Sequence, residues 1–175
     1  MQDLIALNSA IAESYRDSKE KGFPAFPIGV ERSNPINSTP FLELIERIGE
    51  LAGDPCREGL LKQLGSLLDV LRSNGVEPIA LLVGGSFLRP LVPPKDLDCV
   101  LFYQSNCDIA ARLMMYQRNI AQVGVDVRFV PIDSDPLIVL KSAIYFGTLY
   151  GMRKDGDSER QGVVLFDCRT QGGGQ

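Results

Sequence analysis

The chain has 175 residues, 45% of them apolar, with 22 acidic and 18 basic side chains and a formal charge of −4. That length supports one substantial core, and the acidic balance argues against a surface that coats DNA. No histidine is present, which excludes Ser-His-Asp, Cys-His and His-ligated metal chemistry and leaves carboxylates, hydroxyls, Lys, Arg and a bound ion.

The N-terminus lacks a basic stretch followed by a long apolar core, so it does not read as a signal peptide. Residues 3–21 place Leu4, Ile5, Leu7, Ile11 and Tyr15 at helical spacing, which predicts an amphipathic helix that packs on the domain or on a partner. Residues 22–37 contain three prolines and two glycines and read as an irregular connector anchored by Phe23, Phe26 and Ile28. Ser38-Thr39-Pro40 carries the signature of a helix start, with Phe41, Leu44, Ile45, Ile48 and Leu51 as its stripe and an end near Gly53. Asp54-Pro55 opens a second helix that buries Leu60, Leu61, Leu64, Leu67, Leu68 and Leu71 and stops at Asn74-Gly75.

Continuous apolar runs predict strands at 78–83 and 97–103. A helix over 108–123 turns Ile109, Leu113, Tyr116 and Ile120 inward, and a third strand covers 125–131. A helix over 136–150 carries Leu137, Leu140, Ile144 and Tyr145, and a polar loop leads to a last strand at 163–166. The fold class expected is α+β: a mixed sheet with helices packed against it. Residues 1–37 form an N-terminal helical extension and connector, 38–170 one domain, and the closing QGGGQ a frayed tail.

The cysteines Cys56, Cys99, Cys107 and Cys168 form no C-x-x-C pair and read as buried or half-buried free thiols. No apolar run reaches the ~20 residues that span a bilayer. The expectation is a cytoplasmic protein with no membrane partner.

Three short elements carry chemistry. Gly84-Gly85-Ser86 ends the first apolar run; the glycines permit a sharp bend and close ligand approach, and N–H groups there with the Ser86 hydroxyl suit phosphate oxygens. A plain turn is the alternative. Asp96-Leu97-Asp98 opens the next run. Strand residues two apart share a face, so both carboxylates converge on one or two divalent ions; a solvated loop with two incidental acids is the alternative. Asp126 sits among Val125, Val127, Phe129 and Val130, where a charge needs a partner. That partner is an ion, or Arg128 in a structural pair.

Together these elements resemble the nucleotidyltransferase superfamily of the DNA polymerase β type: a strand, a Gly-Gly/Ser turn, an Asp-x-Asp on the next strand and a third acid on a following one. The layout is also similar to small bacterial proteins with a minimal nucleotidyltransferase domain. The resemblance implies that Gly84, Gly85 and Ser86 hold a triphosphate, with Arg89 and Lys95 available to its charge. It implies that Asp96, Asp98 and Asp126 are catalytic and bind Mg²⁺ or Mn²⁺, with Asp126 helping to deprotonate an acceptor hydroxyl. The substrate expected is a nucleoside triphosphate, ATP first, and the acceptor a protein or RNA, in a toxin–antitoxin or phage-defence setting with a partner protein. The alternative is a degenerate member of the same fold that acts as an antitoxin or regulatory subunit.

Overall fold

In the computed structural model, which describes residues 2–26, 34–152 and 160–169, five strands form one mixed sheet. They are β1 (Phe41–Leu44), β2 (Val76–Gly84), β3 (Leu97–Ser105), β4 (Val125–Pro131) and β5 (Val164–Asp167), in the spatial order β1-β5-β2-β3-β4. The β1/β5 and β3/β4 pairs are parallel; β2 runs antiparallel to both β5 and β3. Period-2 alternation divides the side chains between two faces. Leu81, Val83, Leu97, Cys99, Leu101, Val125, Val127, Val164 and Phe166 face the larger core. Leu82, Val100, Phe102 and Val130 face a smaller one.

The larger core is closed by α1 (Gln2–Glu20), α2 (Pro55–Ser73) and α3 (Ala110–Ala121), the smaller by α4 (Pro136–Tyr150). In α2, Asp54 accepts from the N–H groups of Cys56 and Arg57, Pro55 occupies the first turn, and the leucine stripe lies buried. The α1 helix packs on this domain: Tyr15 is fully buried and its ring meets Phe23 and Phe166 at 5.4 and 6.4 Å. The side chains of Leu4 and Ile5 lie outside the described residues.

Three expectations need correction. Residues 41–51 are not a helix. Phe41–Leu44 is a strand and Ile45–Leu51 a 3₁₀ turn. The backbone of Phe41 donates to Val163 at 2.9 Å, and β1 pairs in register with β5, so a long-range ladder overrides the local capping signal. The chain therefore enters its central stretch through one helix, not two. In the connector, Phe23 is buried as expected, but Phe26 is 44% exposed; Ile28 lies outside the described residues, as do most of the polar loop and the QGGGQ tail. Cys56 and Cys107 are exposed, while Cys99 and Cys168 are buried. Among the described residues no helix is long and apolar enough to cross a membrane.

The 3₁₀ turn is tied to α1 by Glu50, which receives Arg47 at 2.7 Å and Lys19 at 3.0 Å. The Arg47 hydrogen bond first, then that of Lys19, pulls the Glu50 carboxyl down to about 2, below the ~4.3 of an unfolded chain. A depressed carboxylate pKa stabilises the fold above the unfolded value and loses that contribution as pH falls towards the folded value. At 37% exposure the effect is small and salt-screened. Thermal melts between about pH 5 and pH 2.5 should show a steeper fall for wild type than for Glu50→Gln, with the difference shrinking in high salt.

Candidate functional site

Gly84, the last residue of β2, is in register with Asp98 on β3, and Asp98 is in register with Asp126 on β4. Three neighbouring strands thus carry one glycine and two carboxylates in a single row. The row lies at the C-terminal end of β2 and the N-terminal ends of β3 and β4. Alternation with Leu82, Val100 and Val130 puts it on the α4 side of the sheet, with strands about 5 Å apart.

Both glycines answer to space. Gly85 has φ +68°, and a Cβ there would stand 2.7 Å from Asp98 Oδ2. A Cβ on Gly84 would stand 2.5 Å from Tyr150 Cβ. The Asp98 carboxylate therefore lies against bare backbone, and Tyr150, at the end of α4, forms the floor. Ser86 is half-buried in the short 3₁₀ turn Gly85–Leu88.

Asp96 precedes β3. With Asp126, Arg128, Gln117, Arg118 and Gly124 it borders an open hollow of about 530 Å³. Asp126 thus belongs to two groupings, the strand row with Asp98 and the hollow with Asp96. It also accepts from Arg128 at 3.2 Å, with both side chains more than 40% exposed, a pairing worth ~0–1 kcal/mol. Among the described residues no three His, Cys, Asp or Glu side chains gather closely enough to hold a metal by themselves. The negative field of the row is nevertheless felt inside. Burial first, then the charges of Asp126 and Asp98, raises the Cys99 thiol. Burial, Cys99 and the same two acids raise the Tyr150 hydroxyl, which donates to the Cys99 carbonyl at 3.4 Å.

The loop between Gly85 and Asp96 is fastened by residues without a recognisable motif. Arg57, 3% exposed on α2, donates to the carbonyls of Phe87 at 3.0 Å and Val92 at 2.9 Å, and also to that of Arg89 and to Asp54. Gln161 donates to the Gly85 carbonyl at 2.9 Å and accepts from Arg89 at 3.0 Å. Arg89 is therefore engaged by Gln161, and Lys95 is exposed at the end of the loop. Arg57 had one signal in the sequence: it occupies the stripe that continues through Leu60, Leu64, Leu67 and Leu71. Gln161 had none, and Tyr150 only the periodicity of its helix.

Two substitutions test this construction. Gly85→Ala places a Cβ at positive φ against Asp98 and should cost about 1–2 kcal/mol in urea denaturation from backbone strain alone. Arg57→Met strands three carbonyls at ~1–3 kcal/mol apiece. It should lower stability by about 3 kcal/mol or more and raise amide hydrogen exchange selectively in residues 87–92.

No curated protein and no solved structure matches the chain. Residues 34–167 match the family described as "Family of unknown function (DUF6932)". That span includes all five strands and the row Gly84, Asp98 and Asp126, and the chain belongs to this family.

Proposed function

We propose that this chain is a Mg²⁺-dependent nucleotidyltransferase of the DNA polymerase β type, moving a nucleoside monophosphate from a triphosphate, ATP first, to a hydroxyl of a protein or RNA. The observation that carries this reading is the register row of Gly84, Asp98 and Asp126. Two carboxylates on neighbouring strands are hard oxygen donors on one face. Mg²⁺ commonly takes one or two carboxylates and fills its remaining positions with substrate phosphates and water, so the donor set fits this ion although no three-acid cluster is present among the described residues. Mn²⁺ accepts the same donors. When bound, the ion supplies charge neutralisation at the phosphates.

The chain's own residues account for positioning. The N–H groups of the Gly85–Ser86 turn and the Ser86 hydroxyl are the donors offered to the triphosphate, while Asp98 and Asp96 flank it. The acceptor hydroxyl gives its proton to an Asp126 carboxylate oxygen as its own oxygen attacks the α-phosphorus. One P–O bond forms to the acceptor, and the bond to the bridging oxygen breaks, releasing pyrophosphate. Arg128, bonded to Asp126, orients that carboxylate. Positioning and electrostatics are the main contributions in such transfers.

The Asp126–Arg128 pair also favours a second reading, a non-catalytic member of the same fold that serves as a regulatory or antitoxin subunit, because there the third acid already has an internal partner. Incubation with α-labelled nucleoside triphosphates, Mg²⁺ and cellular RNA or protein separates the two. Catalysis predicts metal-dependent label on one acceptor, reduced about 10²-fold or more in Asp98→Asn, and thermal stabilisation by Mg²⁺–ATP of ~2.7 kcal/mol at 100 times Kd. Absence of both label and stabilisation with every triphosphate supports the regulatory subunit.

A further inference from the structure

The α4 helix has apolar residues on both sides. Inward, Val139, Ala143, Phe146 and Tyr150 cover the smaller core. Outward, Leu137, Ile138, Leu140, Ile144, Tyr145 and Leu149 are 44–74% exposed, and Met152 just beyond the helix is 56% exposed. At 3.6 residues per turn these side chains lie on one half of the cylinder, with Lys141 and Thr148 as its polar members.

At about 200 Å² of surface for a large side chain, this half presents on the order of 750 Å². The largest apolar patch of an ordinary monomer is about 300–600 Å², whereas one side of a stable protein–protein interface buries about 800 Å². The area is that of a partner's footprint.

The spacing identifies the partner, because it reads nearly the same in both directions. Two copies crossing antiparallel, about an axis between Ile144 and Tyr145, bring Leu137 level with Met152, Leu140 with Leu149, Ile144 with Tyr145 and Lys141 with Thr148 along the helix axis. The two Lys141 ammonium groups are then offset by seven residues, about 10 Å along the axis, or one Debye length at 0.1 M salt. A parallel crossing would stack lysine on lysine. We propose that a second copy of this chain covers α4, in a twofold dimer whose two α4 helices run antiparallel. This dimer does not depend on nucleotide chemistry.

The full chain tests it by size-exclusion chromatography with light scattering. Wild type should give twice the 19.2 kDa of one chain. Ile144→Glu should give the mass of one chain with an unchanged far-UV circular dichroism spectrum, because Ile144 is 69% exposed and belongs to neither core. Orientation is read in a background with the exposed Cys56 and Cys107 replaced by serine. Ile144→Cys should cross-link through a short bis-maleimide, and Leu137→Cys should not, since two copies of position 137 lie about 22 Å apart along the axis. A single-chain mass for wild type both at a dilute loading and at about 100 times that concentration would overturn the dimer, with or without cosedimentation on anionic phospholipid vesicles. A dimer that survives Ile144→Glu, or equal cross-linking at both positions, would overturn the assigned face and direction.

Discussion

The constraint on which the structure depends is the register of β2, β3 and β4. In a sheet with two different faces, a slip of one residue exchanges them. Here that slip would drive Asp98 and Asp126 into the core closed by α2 and α3 and bring Leu97 and Val125 out. The penalty is large because Leu97, Cys99, Leu101, Val125 and Val127 are all fully buried. The apolar residues that specify the pairing are therefore the ones that place the two carboxylates side by side. Packing and site geometry are one choice, made by the alternation of side chains.

That choice has an electrostatic cost. Like charges in register on neighbouring strands repel, the more strongly the less water lies between them. Arg128 bonds to Asp126, and the field of the two acids reaches the Cys99 thiol and the Tyr150 hydroxyl. The register itself is set by the apolar neighbours, and a threonine or valine at either position would satisfy it equally. A cation with phosphate ligands would remove the repulsion. This asymmetry, between residues the fold needs and residues it tolerates at a cost, is the physical basis for reading the row as a site.

The parts legible in the sequence were those whose signals are local or periodic. The α2 leucines, the apolar cores of β2 and β3, and β4 with Asp126 at its start follow from spacing and turn residues alone. In the 41–51 segment a capping hydroxyl and proline describe only the chain beside them, whereas β1 exists through hydrogen bonds to β5, more than 120 positions later. The role of Arg57 is hidden in the sequence for a related reason. Its value lies in the carbonyls of Phe87, Arg89 and Val92, which a sequence does not bring near it. Asp96 and Asp98 read alike as an Asp-x-Asp pair, yet only Asp98 stands in the strand row; Asp96 precedes the strand and meets Asp126 across the hollow.

The same helix closes both the site and the proposed interface. Tyr150 is the floor beneath Gly84, and it is one turn and a half from Ile144 and Tyr145, where the twofold axis would pass. An inward substitution in α4 acts on the sheet and on the space left for Gly84; an outward one acts on association alone. The two faces are separable because the inward residues lie in the smaller core, whereas Ile144, at the middle of the outward stripe, is 69% exposed. Any coupling between partner and site must then travel through the rigid body of α4, from its outward stripe to Tyr150 and from there to the backbone of Gly84. No second element need move for that coupling, because Tyr150 already stands in contact with the place where a Gly84 side chain would be.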